Sequence, residues 1–190
     1  MRCKKNIKEQ TIMNKTAVIY KSKYGSTKEY ANWIAEELGG KLFDVSEITA
    51  QKLEDYNTVI FGGRIHAGSI QGLSGIKKIY NELSGKKIII FAVGATGNDE
   101  KIKTELISRN FLESMKNNPL FLLQGRLDYK TMTAFDRLLM FGLVKYFKSK
   151  KPEELGDQYD AAQQIIETYG KIVDFVDKNS INPIIQAATQ

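Results

Sequence analysis

Three short segments carry the residue types that could do chemistry. The first is Ser22-Lys23-Tyr24-Gly25-Ser26-Thr27, which follows the apolar run Ala17 to Tyr20 and opens onto a helical pattern from Lys28. Hydroxyls, a turn-permitting glycine and the amides of a helix N-terminus make an anion cradle there, and a phosphate is the usual anion. Lys23 adds a cation beside it. The same Ser26 or Thr27 hydroxyl could simply cap the helix. The loop lacks the G-x-G-x-x-G spacing of a dinucleotide fingerprint and the Gly-Lys-Ser/Thr ending of a P-loop, so neither a nicotinamide dinucleotide nor a nucleoside triphosphate is expected.

The second segment, Gly62-Gly63-Arg64-Ile65-His66-Ala67-Gly68-Ser69, is bounded by glycines that would let backbone approach a flat ligand. His66 is the chain's single histidine and could stack, donate or accept; Arg64 could meet negative charge. The third, Val93-Gly94-Ala95-Thr96-Gly97-Asn98-Asp99, is small and polar enough to wrap a ring edge with amides, or to be a plain turn capped by Asn98 or Asp99. Asp99, Asp128, Asp136 and His66 are far apart in sequence, so no catalytic side chain is assigned. No metal site is expected, since the single cysteine, Cys3, cannot form a thiolate cluster.

The elements that would position these segments alternate. Apolar, β-branched runs at Thr16–Tyr20, Lys41–Val45, Thr58–Phe61, Lys87–Val93 and Leu120–Leu123 read as strands. Helical spacing marks 28–38, 101–116, 131–148 and 157–176, the last with Ala162, Ile165, Ile166, Tyr169, Val173 and Val176 on its inner face; 69–83 is mixed. Such alternation predicts a parallel sheet covered on both faces, with ligands gathering beyond the strands' carboxyl ends, where all three segments leave it.

A chain of 190 residues with 42% apolar content suits one folded core rather than disorder. The expected organisation is a loose basic arm over 1–12, a domain over 13–178 and a tail over 179–190. No apolar stretch of leader or spanning length is seen, and a cytoplasmic location is expected. The net charge of +6 permits acidic partners or an anionic surface, but no motif supports nucleic acid.

From about Lys15 to Val176 the chain resembles the flavodoxin-like superfamily, and Ser22-Lys23-Tyr24-Gly25-Ser26-Thr27 is similar to that superfamily's phosphate loop. The resemblance implies a three-layer α/β fold with a five-stranded parallel sheet in the order 2-1-3-4-5 and noncovalently bound FMN. Ser22, Lys23, Tyr24, Gly25, Ser26 and Thr27 would surround the phosphate. Gly63, Arg64, Ile65, His66, Ala67 and Gly68, with Val93, Gly94, Ala95, Thr96 and Gly97, would flank the ring. Gly62 to Gly68, Gly125-Arg126-Leu127-Asp128-Tyr129 and Phe135-Asp136-Arg137 further resemble the flavodoxin-type, menaquinone-dependent protoporphyrinogen dehydrogenase family. That resemblance implies oxidation of a porphyrinogen with a quinone as acceptor, the substrate carboxylates favouring Arg64, Arg126 or Arg137. Arg64 departs from the family pattern, which prefers a small hydroxyl residue there. A flavodoxin-type electron carrier, or a scaffold that has lost the flavin, are the other readings.

The stretch Phe135 to Lys148 is an extra apolar helix after the fifth strand, with Lys145, Lys148, Lys150 and Lys151 clustered at its end. Residues 135–151 could lie on an anionic membrane surface at its inner face, or pack inside a homo-oligomer or against the sheet.

Overall fold

The computed structural model describes residues 15–95, 97 and 99–190. The expected arm with Cys3, the domain start at Met13, and Thr96 and Asn98 of the third segment lie outside the described residues.

The elements, in chain order, are β1 (Thr16–Lys21), α1 (Ser26–Leu38), β2 (Lys41–Asp44), β3 (Thr58–His66), β4 (Ser69–Ile70), α2 (Leu73–Ile79), β5 (Lys87–Gly94), α3 (Glu100–Asn110), β6 (Leu120–Gln124), β7 (Arg126–Asp128), α4 (Ala134–Lys148), α5 (Pro152–Leu155), α6 (Tyr159–Thr168), β8 (Ile172–Asp174) and α7 (Asn182–Thr189). Five parallel strands form the order β2-β1-β3-β5-β6. This is the 2-1-3-4-5 arrangement, with helices on both faces.

Alternation along the central strands sorts the core into two layers. Ile19, Phe61 and Ile90 face a cluster completed by Leu73, Ile76, Leu106 and Met115. Val18, Ile60, Ile89 and Phe91 face the other, completed by Tyr30, Ala31 and Ile34 of α1 and by Ile184 and Ala188 of α7. Tyr30 is fully buried; its hydroxyl donates to Gln124 C=O (2.8 Å) and accepts from Asp177 N–H (3.1 Å), tying α1 to β6 and to the segment before α7.

Four expectations need correction. Residues 179–190 are not a tail: Pro183 sits in the first turn of α7, which fills one core layer. The helix expected over 157–176 stops at Thr168. Gly170 takes φ +79, and Ile172–Asp174 returns as β8, antiparallel to β7. The helix expected over 101–116 ends at Asn110, with a short 3₁₀ turn over Glu113–Met115. The second segment is a strand and hairpin rather than an open loop. β3 continues through His66, turns at Ala67-Gly68 and pairs back as β4, with Ile65 opposite Ile70.

Candidate functional site

The carboxyl ends of β1, β3 and β5 bring the three segments to one edge. At the first, Gly25 adopts φ +98, and no side chain caps α1. The first intrahelical bond joins Glu29 N–H to Gly25 C=O (3.0 Å), leaving the amides of residues 26–28 without intrahelical partners. The Ser22 hydroxyl accepts from Gly25 N–H (3.1 Å), and the Ser26 hydroxyl accepts from Arg126 N–H (3.1 Å). Both hydroxyls are therefore used as acceptors, which leaves their protons for an anion. Ser26 and Thr27 are buried, so such donors are partly desolvated. A Cβ at Gly25 would meet nothing within 4 Å, so the turn is open on that side. These groups fit a phosphate.

The side chains of the same loop turn toward α4. The Asp136 carboxylate is only 8% exposed and collects donors from three elements. On Oδ2 it receives Lys23 Nζ (2.7 Å), the Tyr24 hydroxyl and the Thr133 hydroxyl (2.9 Å). On Oδ1 it receives His66 Nε2 (2.9 Å), with the Arg64 guanidinium at 3.6 Å. The Arg64 guanidinium also lies over the Tyr24 ring (5.4 Å), and the rings of His66 and Phe135 are 5.9 Å apart. Burial alone would push the Asp136 carboxyl up. The hydrogen bonds from Lys23, Tyr24 and Thr133 and the Arg64 charge outweigh it and hold the carboxyl well below the usual carboxylate range. The bond to Asp136 pushes the Lys23 ammonium upward in turn.

Thr133 caps α4 by accepting from Asp136 N–H (3.3 Å), and its own N–H donates to the Tyr24 hydroxyl (3.3 Å). The hairpin that carries His66 is held from below by Asn110. Its Oδ1 accepts from Ile70 N–H, and its Nδ2 donates to the carbonyls of Gly68 and Leu106, each at 2.9 Å.

The expected site residues divide accordingly. Lys23, Tyr24, Arg64 and His66 converge on Asp136. Ser22, Gly25, Ser26 and Thr27 lie at the turn into the N-terminus of α1. Ala67 and Gly68 form the hairpin turn, with Ala67 exposed. Gly63 is buried in β3, where a Cβ would come within 2.5 Å of Gln71 C=O, so it serves the hairpin's packing. Val93 is a buried core residue of β5. Gly94 lies against Ile65, where a Cβ would approach Cδ1 to 2.9 Å, so the hairpin and the third segment touch. Gly94 C=O also accepts from Gly125 N–H (2.8 Å), while Ala95 C=O meets Gln124 Nε2 (3.4 Å) and Gly97 lies beside the Gln124 side chain.

Sequence reasoning missed Asp136 as the meeting point and Asn110 as the hairpin's support. The signal for Asp136 was its being the one acid in the helix AFDRLLMFGLVKYFK. Asp99 and Asp128 stay apart from the cluster and cap local turns. Arg126 is committed to Asp174 (2.6 Å) and Glu29 (3.5 Å). A cavity of about 330 Å³, lined in part by Tyr80, Ser84, Lys86 and Ile88, lies by the start of β5, at the opposite sheet edge.

The flavodoxin domain model matches residues 17–154. The chain belongs to the flavodoxin domain family. Among solved structures, it is similar to the WrbA-like flavodoxin of Agrobacterium tumefaciens (18% identity, TM-score 0.46, covering 65% of this chain and 87% of that one). It is also similar to a flavodoxin from the domain Archaea (12% identity, TM-score 0.40, 82% of this chain and 98% of that one). A third likeness is to rubredoxin oxygen:oxidoreductase of Desulfovibrio gigas (14% identity, TM-score 0.44, 93% of this chain and 37% of that one). None of the curated proteins matches the chain.

Proposed function

We propose that this chain binds FMN and is a redox flavoprotein. The observation that carries the reading is the uncapped N-terminus of α1 opening into the Ser22–Thr27 loop, with two serine hydroxyls whose protons are uncommitted. The cradle would hold the phosphate, and the hairpin with the Gly94–Gly97 segment would flank the ring. When bound, FMN supplies one- and two-electron transfer. The chain's own part is to fix the phosphate, to present Arg64 and His66 at the hairpin, and to orient His66 through the Asp136 carboxylate. Refolding with excess FMN should restore flavin absorbance and quench its fluorescence. Neither change in the wild-type chain would end this reading. Replacing both Ser26 and Thr27 by Ala should weaken FMN binding at least about tenfold.

The substrate reading is narrower. Resemblance around Gly125–Tyr129 and Phe135–Arg137 favours oxidation of a porphyrinogen, with a quinone accepting the electrons. Anaerobic turnover of protoporphyrinogen with a quinone tests it; rapid exchange with a reductase and no turnover would make the chain an electron carrier.

The outer face of α4 favours contact with an anionic, apolar surface. Phe135, Leu138 and Phe141 are 60%, 64% and 51% exposed. Arg137, Lys145 and Lys148 are exposed on the same helix, and its one acid is turned inward. Among the described residues no helix is long and apolar enough to cross a membrane, so the contact would be peripheral. Co-sedimentation with vesicles containing anionic lipid, lost in neutral vesicles or in Phe135→Ser/Leu138→Ser, is the expected result.

A further inference from the structure

We propose that Lys23, Tyr24, Arg64 and His66 form an oxyanion-binding site that Asp136 fills from within the chain, and that an external carboxylate or phosphate displaces Asp136 and frees the first half of α4.

Three observations support it. The donor set exceeds what a structural aspartate needs. Two cations, an imidazole N–H and a phenol O–H converge on one carboxylate, from the Ser22–Thr27 loop and from the end of β3. Lys23 and Arg64 bring two positive charges against the single negative charge of Asp136. The Arg64 side chain is 19% exposed, so the surplus is incompletely solvated and favours a ligand of higher negative charge.

The first half of the helix has no buried side chain apart from this carboxylate. Asp136 and Val144 are the buried residues of α4, whereas Phe135, Leu138, Leu139 and Phe141 face outward. The first two turns are thus fixed chiefly by polar contacts made through Asp136 and Thr133. Exchanging one oxyanion for another there would open no apolar core.

Finally, the site adjoins the cradle through consecutive residues. Lys23 and Tyr24 give their side chains to Asp136, while Ser22, Gly25 and Ser26 line the phosphate position. One ligand with two anionic groups could engage both.

A built-in competitor lowers apparent affinity by the fraction of time it holds the site. Removing its charge should therefore strengthen binding, where removing an ordinary structural residue would weaken it. Titration calorimetry of the full chain with inorganic phosphate, and separately with succinate, at ionic strength matched by sodium chloride, gives the test. Asp136→Asn should bind phosphate about tenfold more tightly than wild type. Amides in 134–141 should exchange hydrogen about tenfold faster in that variant, and faster in wild type with phosphate than with chloride. Arg64→Met should loosen the same amides yet bind phosphate more weakly, which keeps the test decisive should Asp136→Asn fold poorly. The proposal is overturned if Asp136→Asn binds phosphate no more tightly, if chloride and phosphate act alike on α4, or if Arg64→Met leaves phosphate affinity unchanged.

The inference does not depend on a flavin. Release of α4 by FMN but not by riboflavin would put the flavin phosphate at the Asp136 position instead of the Ser22–Thr27 cradle; release by succinate would identify a carboxylate ligand. Absence of FMN binding with the phosphate response intact would remove the flavin reading alone.

Discussion

His66 Nε2 lies 2.9 Å from Asp136 Oδ1 and joins the β3–β4 hairpin to the first turn of α4. This contact makes Asp136 the shared acceptor of the hairpin and the Ser22–Thr27 loop. Because its folded carboxyl titrates below the ordinary value, Asp136 stabilises the fold while ionised. That contribution is complete above about pH 5, where an unfolded aspartate is also ionised, and it declines as pH falls through the ordinary carboxylate range toward the depressed folded value. Asp136→Asn should therefore cost about 1–3 kcal/mol at pH 7, and the gap should narrow in urea titrations at pH 3. An equal gap at both values would mean that ionisation of Asp136 is not what stabilises the contact.

The hairpin turn holds Ala67 at φ 48 and Gly68 at φ 76. Positive φ at both central residues is the geometry of a type I′ turn, where Asn or Gly at the first position is favoured over Ala. The left-handed conformation costs alanine about 1–2 kcal/mol, and glycine's greater freedom when unfolded returns part of that. Ala67→Gly and Ala67→Asn should each raise stability by about 0.5 kcal/mol. Ala67→Val should lower it. Thermal melts of the three variants decide the order.

Asn110 satisfies one amide and two carbonyls under the hairpin. Asn110→Ala should destabilise by about 2–3 kcal/mol, because Ile70 N–H and Gly68 C=O lose their partner beneath the turn. Asn110→Asp should also destabilise, since a carboxylate cannot donate to the two carbonyls. Chemical denaturation measures both; a loss below 0.5 kcal/mol for alanine would show that water replaces the side chain (about the lower limit for a net hydrogen bond).

Two tyrosines give opposite expectations. The Tyr30 hydroxyl donates to Gln124 C=O and accepts from Asp177 N–H, so Tyr30→Phe should cost about 1–2 kcal/mol. Among the described residues, the buried Tyr129 hydroxyl has no well-formed hydrogen-bond partner; burial pushes its pKa up, and the Gly170 backbone offsets only part of that. Tyr129→Phe should be neutral or stabilising by up to about 1 kcal/mol. Comparing the two variants in one melt series separates a satisfied hydroxyl from an orphaned one.

The parallel sheet was readable because its strands carry local signals. Ile88 to Val93 is continuously apolar, as a strand covered on both faces requires. The β4 strand was not readable, since two residues show no alternation and their pairing depends on a turn and on Asn110. The β7–β8 ribbon was hidden for another reason. Ile165, Ile166, Tyr169 and Val173 keep helical spacing across Gly170, whose positive φ ends the helix. In α7, Pro183 and the spaced Ile184 and Ala188 were present, but so short a pattern gains meaning only against α1 and β5. At the site, the cradle was legible because it is one contiguous loop. The Asp136 cluster was not, because its members are up to 113 residues apart and meet only when α4 folds back.

Gly62 and Phe91 are register partners on β3 and β5, and a Cβ on Gly62 would lie 2.0 Å from the Phe91 ring. One side chain's volume is shared between two positions. In descent, neither position can drift alone: enlarging residue 62 demands a smaller residue 91 in the same lineage. The glycine at 62 is thus a record of how neighbouring strands divided their space, and its presence in a related chain would report on the residue opposite before it reported on any ligand.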